Sequence, residues 1–93
     1  MTTEERFKKS IEIIKNYVKI DDLPNNEKLI FYKCFKQANE GDCHGNKPGT
    51  FDLKGKAKYN AWNEMKGTSK EEAMLKYIEQ VKKFLPEDVA QTL

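Results

Sequence analysis

Apolar residues recur along the chain at helical spacing, in four separate stripes. Thr2 and Glu5 have the spacing of a capping box, and Phe7, Ile11, Ile14 and Val18 follow on one face, which predicts a first helix ending near Lys19. The stretch from Asp21 to Asn26 carries Pro24 among turn formers. Leu29, Tyr32 and Phe35 then open a second stripe that stops at Gly41, predicting a helix over 25–40. In the third, Asp52 precedes a run in which Ala57, Ala61 and Met65 share a face with Trp62 beside them, and Gly67 closes it. In the fourth, Ser69 and Glu72 form a second capping box ahead of Ala73, Tyr77, Val81 and Phe84. Met74, Ile78 and Leu85 widen that stripe, and Pro86 ends it.

Between the second and third stripes, residues 41–53 contain Gly41, Gly45, Pro48 and Gly49 without apolar period, the pattern of a long ordered loop. Short connections make the first and second helices antiparallel neighbours, and likewise the third and fourth, whereas the long loop lets the second and third run in the same direction. The fold class expected is all-α, an up-down-down-up four-helix bundle. Residues 1–93 form one domain in this reading, with an ordered core over about 3–86 and a C-terminal tail at 87–93. Phe7 and Tyr17 are expected to pack in the core and Trp62 to anchor neighbouring helices.

Composition narrows the function. A chain of 93 residues holds one core and leaves little room for a deep active site. Its 17 basic and 15 acidic residues nearly balance, so no global field drives it towards nucleic acid or membrane, and any electrostatic recognition must be local. Cys34 and Cys43 are too few for a disulfide framework and read as reduced thiols. No apolar stretch is long enough for a signal peptide or a membrane span, so a cytoplasmic location is expected, without stable membrane insertion.

Catalytic chemistry finds little support. His44 follows Cys43 directly, but adjacent side chains point different ways, and no third group is recognisable to orient the imidazole. Cys34, Cys43 and His44 do not have zinc-site spacing, and no Walker or Rossmann phosphate loop is present. No catalytic residue, metal or cofactor is expected. The stronger signal is a set of lysines among aromatics. Tyr32 and Lys36 share a face of the second helix with Lys33 and Phe35 beside them. Lys54, Lys56 and Lys58 crowd the start of the third, where cations oppose the helix dipole unless an anion is bound. Two readings remain open on this pattern: a solvated lysine face whose stems cover core edges, or an anion site. Tyr32, Tyr59 and Tyr77 offer flat rings on which a purine can stack while lysines meet phosphate.

From Tyr32 to Val81 the chain resembles the acyl-coenzyme A-binding proteins, four-helix bundles of nearly this length. The resemblance rests on FKQANEGD at 35–42, KPGTFDLKGKAKYNAWNEMKGTSKEEAM at 47–74, and Tyr77 with Ile78. It implies a carrier of medium- to long-chain fatty acyl-coenzyme A that forms an intracellular pool for lipid metabolism. It further implies a monomer that serves acyl-coenzyme A-producing and -consuming enzymes, with no nucleic acid as partner. Tyr32 and Lys36 match the tyrosine and lysine that hold the adenine and phosphate end of coenzyme A. Lys58 matches the lysine that meets the ribose 3′-phosphate, and Tyr77 the tyrosine beside the nucleotide. Lys33, Cys34 and Phe35 fall in the same ligand-facing turn, and Lys15 matches a further contact on the first helix. The acyl chain is expected in an apolar groove against Leu29, Ile30 and the residues near Met1. The chain departs from the family where Phe35 replaces a tyrosine, where Tyr59 replaces a tryptophan, at Cys43 and His44, and in a first interhelical connection about two residues longer. Three other readings remain: a nucleotide or nucleic-acid binder using the same lysines and tyrosines, a small thioesterase built on Cys43 and His44, and a protein-interaction module with an exposed apolar patch.

Overall fold

Thr2 starts the first helix. Its hydroxyl accepts from the Glu5 backbone N–H at 3.2 Å while the Glu5 carboxylate accepts from the Thr2 N–H, so two of the orphan donors at a helix start are satisfied together. The structure, a computed structural model, describes residues 1–93 and contains helices and loops only. The helices are α1 (Thr3–Ile14), α2 (Asn25–Glu40), α3 (Leu53–Asn63), α4 (Lys70–Lys82) and the single turn α5 (Glu87–Ala90), with a 3-10 turn at Ile20–Asp22 between α1 and α2. The main helices form the up-down-down-up bundle, but not with the neighbour pairs expected from the short connections: α1 packs on α4, and α2 on α3 and α4, whereas α1 with α2 and α3 with α4 make little contact.

α1 is shorter than its apolar stripe suggested. Past Ile14 the backbone bonds tighten, with Asn16 N–H donating to the Ile13 carbonyl and Tyr17 N–H to that of Ile14, both at 3.0 Å. This tightening rotates Tyr17 off the buried face, and it lies 45% exposed instead of in the core.

The core is assembled around α4, which packs on both α1 and α2. Phe7 and Ile14 from α1, Phe31, Cys34 and Ala38 from α2, and Ala73, Tyr77, Ile78 and Val81 from α4 are all buried in one cluster. Phe31 and Phe7 each meet the Tyr77 ring edge-on, at 5.4 and 5.2 Å between centroids, a favourable geometry for aromatic pairs. α3 is held differently: it packs substantially on α2 alone, and its buried Ala61 and Trp62 stand outside the central cluster.

The long loop is tied down where it leaves α2. Gly41 and Gly67 adopt φ values of 78° and 88°, a region costly for any other residue, and so turn the chain out of α2 and into α4. The Asp42 carboxylate accepts from the Gly67 N–H and from the Gln37 amide, both at 2.9 Å, and the Trp62 indole N–H donates to the Gly41 carbonyl at 2.8 Å. Trp62 is buried as expected, but it anchors the loop rather than the central core. After Pro86 the chain returns to α1, where Arg6 and Lys9 donate to the carbonyls of Leu93 and Thr92 at 3.0 and 3.1 Å.

Candidate functional site

A cavity of about 730 Å³ opens between the 3-10 turn, α2 and α3, with Tyr77 of α4 at its base. On α2, Asn25, Lys28, Leu29 and Tyr32 follow i, i+3, i+4, i+7 spacing and so present one face to it. Phe31 and Phe35 close that wall. Opposite stand Leu53, Lys54, Ala57 and Lys58 on α3, again one helical face, and the 3-10 turn adds Ile20 and Asp21. The lining is therefore apolar at its floor, through Ile20, Leu29, Phe31, Phe35, Ala57 and the Tyr77 ring, and cationic where Lys28, Lys54 and Lys58 enter. Small-molecule sites have this volume and this mixture of an apolar lining with a few placed polar groups.

Tyr32 and Lys58 carry the polar end. The Lys58 ammonium sits 5.2 Å from the centroid of the Tyr32 ring, across the gap between α2 and α3. Lys54 and Lys58 have no carboxylate partner, and neither does Lys28. The start of α3 has no acidic residue in its first turn beyond the cap Asp52, so the positive end of its dipole adds to these cations. Tyr77 is 3% exposed, and burial raises its phenol to about 12. It stays neutral at all ordinary pH while lining the cavity.

The remaining predicted residues lie elsewhere. Cys34 does not face the cavity: it is 2% exposed within the core, and burial pushes its thiol up. Two residues along a helix rotate a side chain by about 200°, so Cys34 turns inward with Phe31 and Ala38 when Tyr32 turns towards the cavity. Lys33 reaches across to Glu64 at 3.7 Å. Lys36 lies one turn from Tyr32, but its ammonium pairs with Glu40 and sits 4.8 Å from the Trp62 ring, outside the cavity lining. The Glu40 hydrogen bond raises the Lys36 ammonium and lowers the Glu40 carboxyl. Lys15, exposed just past the end of α1, pairs with Glu12 at 3.4 Å and does not line the cavity. Of the groove residues, Leu29 lines the cavity, whereas Ile30 packs against the core and Met1 is exposed. The apolar wall comes from α2, α3 and the 3-10 turn, with α1 contributing nothing.

Lys28, Asn25 and Phe31 were missed on α2, although Lys28 stands four residues before Tyr32 and the same periodicity marks it. Ile20 and Asp21 carry no sequence signal, because their place depends on how the connection folds. Cys43 and His44 are not paired for catalysis. The Cys43 thiol faces the Tyr59 carbonyl at 3.9 Å, and His44 meets Glu40 at 3.3 Å and the edge of Trp62. Neither lines the cavity.

The family model for acyl CoA binding protein matches residues 4–81. An acyl-CoA-binding protein of Dictyostelium discoideum is 42% identical over 79 residues, covering 84% of this chain and 87% of that protein. An acyl-CoA-binding domain-containing protein 2 of Oryza sativa subsp. japonica is 40% identical over 92 residues, 99% of each chain. In the larger bovine acyl-CoA-binding domain-containing protein 5, 40% identical over 84 residues, the matched region is 16% of the whole. The crystal structure of an Oryza sativa acyl-CoA-binding protein 2 superposes with a TM-score of 0.82 at 39% identity, over 99% of this chain and 100% of that one. One from Moniliophthora perniciosa gives 0.75 at 38% identity, over 98% and 91%. With sequence and fold agreeing over nearly its full length, the chain belongs to the acyl CoA binding protein family.

Proposed function

We propose that this chain, as one binding domain, takes up the coenzyme A esters of medium- to long-chain fatty acids and carries them without chemical change. The observation that carries this reading is the division of one cavity into a cationic, tyrosine-bearing rim and an apolar floor. Lys58, with Lys28 and Lys54, neutralises the nucleotide phosphates, Tyr32 meets the purine and ribose, and the acyl chain lies along Ile20, Leu29, Phe31, Phe35 and Ala57. Tyr77 supplies a neutral hydroxyl where the two regions meet. A nucleotide alone would leave the apolar floor wet, which disfavours a purely nucleotide- or nucleic-acid-binding role. The lining holds neither cysteine nor histidine, and Asp21 is its only carboxylate. The thioester is held, kept soluble and passed on to enzymes that make or consume it.

Isothermal titration with free coenzyme A and a series of acyl esters, at two salt concentrations, tests the proposal. Each two-carbon extension should tighten binding by about 1.6 kcal/mol, roughly 15-fold, until the floor is filled. Lys58→Ala should weaken every ester by about tenfold or more, as expected for a charge-assisted phosphate contact. Esters that bind no better than free coenzyme A would remove the acyl assignment.

A further inference from the structure

Four side chains meet where α2 runs into the long loop, and none of them lines the cavity. Glu40, in the last turn of α2, engages the Lys36 ammonium through one carboxylate oxygen and faces the His44 Nε2 at 3.3 Å through the other. Trp62 is the platform for both partners. The Lys36 ammonium lies 4.8 Å from the centroid of its ring, and the imidazole meets its edge at 5.2 Å between centroids. The indole is itself buried and donates to the Gly41 carbonyl, so the arrangement rests on a fixed ring. Glu40 is the sole ion-pair partner of Lys36 and of His44. The Lys36 hydrogen bond is the largest influence lowering the Glu40 carboxyl, and a charged His44 acts in the same direction. One carboxylate is therefore shared between a permanent cation and a type of side chain whose charge ordinarily changes between about pH 5 and 8.

Lys36 stands one turn from Tyr32 on the same face of α2, and the Tyr32 phenol is near enough to act on its ammonium. An ammonium released by Glu40 has the polar end of the cavity, where Tyr32 meets Lys58, within reach. We propose that His44 is a positioning residue for Lys36: once protonated, its imidazole takes over Glu40 and Lys36 turns to the phosphates of the bound coenzyme A ester, so that affinity is sustained as pH falls. The proposal rests on the acyl ester reading and adds a proton-dependent control to it. A second cation beside Glu40 competes for the carboxylate and repels Lys36, and both effects favour the ligand-bound arrangement. By reciprocity, ligand binding then draws a proton onto His44. The other titratable groups facing Lys36, the Tyr32 phenol and the Cys43 thiol, are of types that ordinarily ionise above this range. From α3 the Trp62 ring and the Tyr59 carbonyl, which the Cys43 thiol faces, bring no charge.

Calorimetric titration with the dodecanoyl ester of coenzyme A at about pH 5.5 and about pH 7.5 is the test. The phosphate monoester of the ligand titrates near about pH 6 and weakens binding on acidification in every variant, so proteins are compared at the same pH. In the acid arm the wild type should bind about two- to fivefold more tightly than His44→Gln, the range of an exposed ion pair for an imidazole that is 64% exposed, and the two should match in the other arm. The difference should disappear when His44→Gln is made in a Glu40→Gln background. Titrations in two buffers of different ionisation enthalpy should show the wild type taking up more protons on binding than His44→Gln. A merely structural His44 would move affinity equally at both pH values, and that result, or identical profiles in the wild type and His44→Gln, overturns the proposal. Lys36→Ala that leaves affinity unchanged also overturns it, by removing Lys36 from the site. Free coenzyme A carries the same phosphates and should show the same dependence on His44, so the proposal can fail while the acyl assignment stands, and the reverse.

Discussion

At the residue scale the informative disagreement concerns Lys36. Its position one turn from Tyr32 fits the lysine of the family resemblance, yet its ammonium is engaged by Glu40. A phosphate recruiting Lys36 must displace that carboxylate, so Glu40 is a competitor built into the same helix. Glu40→Gln should tighten acyl ester binding several-fold, Lys36→Ala should weaken it, and the Glu40→Gln gain should vanish in the Lys36→Ala background. Calorimetric titration of the four proteins gives the coupling directly, and an additive result would leave Lys36 out of the site. Lys15 and Lys33, paired with Glu12 and Glu64, should change affinity less than twofold on conversion to alanine.

Tyr77 combines packing and polarity, and the two separate by substitution. Tyr77→Ala removes a buried ring that contacts Phe7, Phe31 and Phe35 and should cost about 3 to 5 kcal/mol. Tyr77→Phe keeps the ring and should change stability by less than about 1 kcal/mol while altering the ligand end of the cavity. The phenol titrates at about 12 in the folded protein against 10.0 for the free side chain. The folded state therefore holds this proton where the unfolded state has lost it. The resulting stability is complete below pH 10 and is lost as pH rises towards 12. Alkaline melting curves should show that limb in the wild-type protein and a shallower one in Tyr77→Phe.

At the scale of elements, the joints matter more than the helices themselves. Asp42, Gln37, Trp62 and Gly67 link the end of α2, the long loop and the turn into α4, and the Gly67 N–H is the largest influence holding the Asp42 carboxyl below the ordinary range. Such a carboxylate contributes stability above the normal aspartate pKa, and that contribution is lost as pH falls through its lowered folded value. Asp42→Asn should therefore melt lower at neutral pH and lose less stability on acidification than the wild type. Trp62→Phe, which fills most of the same space without the indole donor, should cost about 1 to 2 kcal/mol because the Gly41 carbonyl is left without its partner.

These joints mark the limit of what could be read from sequence. The four helices, the caps at Thr2, Ser69 and Asp52, and Gly41 closing α2 follow from short-range rules of period and capping, so they were legible, whereas α3 stops at Asn63, short of the Gly67 expected to close it. Tyr32 and Lys58 were legible as an aromatic and a lysine, but not their 5.2 Å approach, because the short connections pointed to other neighbour pairs than α2 beside α3. The resemblance groups Cys34 with its sequence neighbours, whereas helix rotation separates them and turns Cys34 into the core. The 3-10 turn that brings Ile20 to the cavity, and the exposed Tyr17, depend on where α1 stops. Nothing in an apolar stripe encodes that stop.

At the scale of the whole molecule, the cavity lies between two parts that are secured unequally. α1, α2 and α4 share the central core, whereas α3 packs substantially on α2 alone and contributes Ala61 and Trp62 to a separate contact. Segments with fewer shared buried contacts open at lower free energy than the global transition. Amide hydrogen exchange should therefore be faster across Leu53–Asn63 than across the buried turns of α2 and α4 around Ala38 and Ile78. A ligand spanning Tyr32 and Lys58 joins α3 to the rest of the protein, and the stabilisation grows with the logarithm of ligand concentration over Kd. At one hundred times Kd this amounts to about 2.7 kcal/mol, enough to slow exchange in α3 up to about a hundredfold while leaving the slowest core amides to follow global stability. Protection gained evenly along the chain would mean that α3 opens only with the whole fold. Protection confined to α3 and the facing turns of α2 would establish that ligand binding closes the one loosely held side of the bundle.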